Sequence, residues 1–118
     1  MNERDQIRLW HMLDEARKAL RFIQGRPREE FDSDEMLSYA VRYALQIVGE
    51  AASQVTVETR TAYPAINWKD IIGMRQWLVH GYERVRNDIV WNAAANDLAP
   101  LIEQLEAIVA SFPPEELE

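Results

Sequence analysis

From Met36 to Ala52 the apolar residues Met36, Leu37, Ala40, Val41, Ala44, Leu45, Ile47, Val48, Ala51 and Ala52 recur at intervals of three and four. An α-helix gathers that spacing onto one side, whereas a strand would need alternation, which is missing. The stripe is broad enough to face two neighbours at once, so the helix predicted from about Asp32 to Val57 is the central one. An all-α bundle has to be built around it.

The remaining elements follow from the same period. Ile7, Trp10, Leu13, Ala16, Leu20 and Ile23 mark a first amphipathic helix from about Glu3 to Gln24, which Gly25 and Pro27 should stop. Arg26 to Phe31 reads as a polar loop, after which Asp32 or Ser33 can cap the central helix, with Asp32 and Glu35 spaced as a capping box. Asp32 and Asp34 do not make a calcium loop, since the glycine and the later glutamate that such a loop requires are absent. Thr59 to Asn67 is short and contains Pro64, and is expected to be a connection. Asn67 can cap a third helix that enters with Trp68 and ends or distorts at Gly81. A last helix starts near Asn87 or Asp88 and should be bent or split at Pro100, with Asn96 or Asp97 able to cap the new start. The expectation is four to five helices in one domain spanning 1–118, with an acidic tail over 112–118.

The chain has 118 residues, 47% of them hydrophobic, which is enough for one core. Without cysteine it has no disulfide, thiolate ligand or cysteine nucleophile. No apolar run is long enough to span a bilayer, and the first 21 residues interrupt their apolar positions with charges, so a cytoplasmic protein is expected. The formal net charge of −7 argues against nonspecific coating of nucleic acid, but it is unevenly distributed. Residues 60–86 hold five Lys or Arg against two Asp or Glu, while residues 87–118 hold seven acidic residues and no Lys or Arg. A small positive site on an acidic body suits a few phosphates held locally.

Within that positive segment lies Met74-Arg75-Gln76-Trp77-Leu78-Val79-His80-Gly81-Tyr82. Arginine offers a permanently charged fork of donors for phosphate oxygens, and histidine both gives and takes protons near neutral pH. His11, by contrast, has no metal-binding neighbour at helical spacing and reads as a packing or boundary residue. On a straight helix Arg75 and Tyr82 share a face, whereas His80 is turned about 140° from Arg75 and shares a face with Gln76. Either the helix end bends at Gly81, or a second copy of the chain completes the site across a two-fold axis; four tryptophans and four apolar stripes favour the dimer.

The pattern Arg-(four residues)-His-X-Tyr at Arg75, His80 and Tyr82 resembles that of the HepT-like proteins of the HEPN superfamily. The likeness extends to Ala40-Val-Arg-Tyr-Ala-Leu-Gln-Ile-Val-Gly-Glu-Ala-Ala52, with its Ile/Val-Gly-Glu-Ala signature, and to Trp91 in the last helix. The resemblance implies a homodimeric HEPN-like helical bundle with a metal-independent RNase site in the dimer cleft, acting as the toxin of a bacterial or archaeal toxin-antitoxin pair. It further implies a partner, a minimal MntA-like nucleotidyltransferase antitoxin that silences the toxin by transferring AMP onto the motif tyrosine. Carried over, Arg75 and His80 are catalytic, Gln76 supports them and Tyr82 is the AMPylation target, with no cofactor. Gln76 departs from the asparagine that more commonly follows the arginine, keeping the amide but lengthening its reach. Two other readings stay open: a non-catalytic nucleotide- or substrate-binding subunit of a nucleotidyltransferase, and a helical dimerisation module in which the triad is a structural network.

Overall fold

A computed structural model of the chain describes residues 1–81 and 86–112. Helix α1 spans Glu3–Ile23, α2 Arg28–Ser33, α3 Glu35–Gln54, α4 Val57–Ala62 and α5 Trp68–His80. Helix α6, Asn87–Asn92, runs through a π-helical segment, Ala93–Asp97, into α7, Leu98–Val109. No strand occurs among the described residues. Helix α3 is central as expected, packed against both α1 and α5, while α7 packs against α1. Helix α5 barely meets α7, and a groove of about 800 Å³ opens between them, floored by Leu45 and Val48 of α3 and walled by Met74, Trp77, Ile89 and Leu101. None of the helices among the described residues is long and apolar enough to cross a membrane.

The four long helices appear where the apolar period puts them, and two short ones replace expected loops. Phe31, placed in a polar loop by its neighbours, is fully buried with its ring 5.3 Å from that of Trp91, and this anchor holds the six residues of α2 as a helix. Because α2 occupies residues 28–33, the cap of α3 moves from Asp32 or Ser33 to Asp34, whose carboxylate accepts from the Leu37 amide at 3.1 Å. Helix α3 ends at Gln54, short of Val57, because Thr56 caps α4. Helix α1 does stop before Gly25, which takes the left-handed conformation with φ of 75°. Its core-facing line is Leu9, Met12, Leu13, Ala16, Ala19 and Ile23, so Ile7 is left 39% exposed. His11 is exposed on the outer face of α1.

Asp5 extends the buried line of α1 to a charged residue. Its carboxylate accepts from the hydroxyls of Thr56 and Thr59, each at 2.6 Å, and from the Thr56 amide at 3.1 Å, which fastens α1 to the start of α4. Pro100 does disturb the last helix, though not by a restart. The backbone stays right-handed helical through Ala93, Asp97 and Leu98, and neither Asn96 nor Asp97 supplies a side-chain cap. Pro100 lacks an N–H and would clash with the Asn96 carbonyl in a regular helix; the widened π turn around Asn96 accommodates both. Phe112 is buried and closes the core, while residues 113–118, the rest of the expected tail, lie outside the described residues.

Candidate functional site

Helix α5 carries the candidate residues, and its own sequence fixes where it starts. Asn67 accepts from the Asp70 amide through Oδ1 at 3.2 Å and donates through Nδ2 to the Asp70 carboxylate at 2.7 Å. Behind that cap Trp68 is buried, its indole N–H donating to the Tyr63 carbonyl at 3.0 Å. The helix runs regularly to His80 and is capped by Gly81, whose amide donates to the Trp77 carbonyl at 2.8 Å. No bend precedes His80.

Arg75 faces α3 and His80 does not. Leu78 is buried and Ile71 and Arg75 are half-buried along the α3 side, whereas Lys69, Gly73, Gln76 and His80 form an exposed strip. Gln76 and His80 therefore share a face, as the spacing requires, and Arg75 is turned about 100° from the first and about 140° from the second. The structure does not bring Arg75 and His80 together within one chain. Tyr82 lies outside the described residues.

What the structure does bring to Arg75 is Glu50, twenty-five residues earlier on α3. Glu50 Oε2 approaches Arg75 Nε to 2.8 Å as an ion pair, without the alignment of an N–H···O hydrogen bond. The Arg75 side chain keeps a quarter of its surface exposed, and that of Glu50 about half. The neighbouring Gly49 explains why the two helices meet here. A Cβ at position 49 would overlap the Cβ of Arg75 and come within 2.9 Å of the Ile71 carbonyl oxygen, so glycine permits α5 to lie directly on α3. The sequence held this pair in plain view as the Gly-Glu of the α3 signature, but spacing along one chain gives no reason to join Glu50 to Arg75.

Comparison with known proteins places most of the chain in one group. Residues 12–108 match the family described as "Ribonuclease HepT-like". A Methanocaldococcus jannaschii protein named "Putative RNase MJ1380" is 28% identical over 92% of this chain and the whole of its own length. A Caldanaerobacter subterraneus protein named "Putative RNase TTE0752" is 32% identical over 86% of this chain and 90% of its own. A Thermococcus cleftensis protein named "Probable ribonuclease HepT" is 28% identical over 81% of this chain and 91% of its own. No solved structure matches the chain significantly.

Proposed function

The chain belongs to the ribonuclease HepT-like family, and from that premise we propose that it is a metal-independent endoribonuclease, the toxin of a toxin-antitoxin pair. One observation carries the reading: an arginine with a quarter of its side chain exposed and an exposed histidine, in the family's motif, reach solvent from one short regular helix. RNA carries its own nucleophile, the 2′-hydroxyl, so cleavage needs a proton acceptor, a proton donor and a cation for the phosphate. His80 takes the 2′-hydroxyl proton as O2′ bonds to phosphorus. The P–O5′ bond then breaks, leaving a 2′,3′-cyclic phosphate, and a second histidine protonates the departing 5′-oxygen. Arg75 stabilises the charge that builds on the phosphorane oxygens, with Gln76 as a polar support on the His80 face.

The second histidine comes from a second copy of the chain. Arg75 and His80 point away from each other within one protomer, and a two-fold partner supplies the missing group without bending α5. Support for that assembly lies on α3, where Met36, Tyr39 and Tyr43 are 84%, 62% and 63% exposed. These three fall within about 40° of Glu50 around the helix, so the apolar row leads to the Arg75 edge.

Control falls to a minimal nucleotidyltransferase antitoxin. Attack of the Tyr82 phenol oxygen on the α-phosphorus of ATP releases pyrophosphate and leaves AMP on the tyrosine, adding an anion that competes with RNA for Arg75. The test is cleavage of end-labelled RNA by the purified protein. Cleavage should persist with chelator present and fall at least about 10²-fold in Arg75→Ala and in His80→Ala, with melting temperatures unchanged. Full activity of His80→Ala would remove the ribonuclease mechanism. Incubation with the antitoxin and ATP should add AMP to a peptide containing Tyr82, and Tyr82→Phe should cleave RNA but escape silencing. Normal silencing of that variant would leave Tyr82 without a regulatory role.

A further inference from the structure

Building on the ribonuclease reading, we propose that Glu50 is a positioning residue for Arg75: it holds the guanidinium by its Nε edge and leaves the two Nη groups to grip the scissile phosphate. An exposed ion pair on its own contributes little to stability, so the pair calls for a reason beyond folding. A carboxylate beside a phosphate-binding cation also repels the anionic substrate, which makes the place a poor one for an incidental glutamate. Three features of the structure show what is gained in return.

The contact is made at Nε, an atom sealed from solvent even though a quarter of the side chain remains exposed. Glu50 therefore takes the inner edge of the guanidinium and not its outer fork. The stem of Arg75 is fixed as well, because Gly49 lets its Cα and Cβ rest against the backbone of α3. Adjacent residues of one helix thus restrain both ends of the arginine, Gly49 by close approach and Glu50 by charge. Finally, Gln76 and His80 lie on an exposed strip with no such restraint from α3, so the bracing is specific to Arg75. A free arginine has many rotamers to lose on gripping a phosphate, and one already oriented loses fewer; positioning of this kind acts on the transition state more than on binding.

The experiment compares the wild type with Glu50→Ala, Glu50→Gln and the Glu50→Ala/Arg75→Ala double variant in RNA cleavage. Glu50→Ala should lower kcat about 10²-fold with KM held within about twofold. Glu50→Gln, which keeps an acceptor oxygen, should recover part of that loss. In the Arg75→Ala background the Glu50 substitution should cost nothing more, since the residue acts only through the arginine. Higher turnover in Glu50→Ala would overturn the proposal by making Glu50 a latch that substrate must displace, and losses that add to those of Arg75→Ala would overturn it too. A readout independent of catalysis separates this from the ribonuclease reading: in ¹⁵N-arginine-labelled protein, the Arg75 Nε–H resonance should be protected from exchange in the wild type and lose that protection in Glu50→Ala. An unchanged resonance rules out the brace whether or not the protein cleaves RNA, whereas a protected resonance in a protein that leaves RNA intact upholds the brace and removes the ribonuclease.

Discussion

Asp5 is a carboxylate with 1% of its surface exposed, and its environment acts on it in two directions. Burial pushes the carboxyl up, but the hydroxyls of Thr56 and Thr59, the Thr56 amide and the positive chain terminus together outweigh it and hold the group below its ordinary value. A carboxyl lowered in the folded state stabilises the fold above the unfolded value of about 3.9 and loses that contribution as pH falls through the lower folded value. Asp5→Asn should therefore cost about 1.5–3 kcal/mol near neutral pH, the range for hydrogen bonds to a charged group. Thermal melts should show the gap between wild type and variant closing below about pH 4; a gap that widens in acid would contradict the assignment.

Among the elements, the α3–α5 contact matters most, because it sets where Arg75 stands. Leu78 and Ile71 supply ordinary apolar packing there, and Gly49 supplies the absence of a side chain. The blocking atoms around position 49 are backbone and the root of a side chain, which cannot swing aside. Gly49→Ala should thus force α5 outward and destabilise the protein by about 1–3 kcal/mol, the usual cost of overpacking. Cleavage should fall by more than that loss of stability explains, because the Arg75 stem moves with the helix. Chemical denaturation alongside the RNA assay checks both, and an unshifted denaturation midpoint would show that α5 does not depend on the glycine.

At the scale of the whole molecule, the proposed two-fold partner would cover the exposed row on α3 and supply the group that Arg75 and His80 of one chain do not bring together. Sedimentation should give about twice the 13.8 kDa of one chain. Replacing Tyr39 and Tyr43 together by glutamate places like charges on a two-fold interface, and should yield a folded monomer without RNA cleavage. A wild type that sediments as a monomer and still cleaves would mean that one chain completes the site alone. A double variant that stays dimeric would move the interface off α3.

Much of this protein could be read along the chain because the deciding interactions are local. Turn-to-turn apolar spacing placed the four long helices, the left-handed tolerance of Gly25 ended the first, and the Asn67 side chain, three residues from its partner amide, started the helix that bears Arg75 and His80. The same 100° per residue also showed that those two side chains diverge. Other features depend on what a distant segment presents. Phe31 stands among charged neighbours and is buried only because Trp91 comes to meet it; Asp5 is buried only because Thr56 and Thr59 supply donors from fifty residues away. Glu50 looks like a solvent-facing charge on a helix until α5 lies across Gly49 and brings Arg75 to it. A periodic pattern says which face of a helix is buried, but not which residue on the neighbouring helix will lie opposite, since that depends on how closely the two backbones can approach.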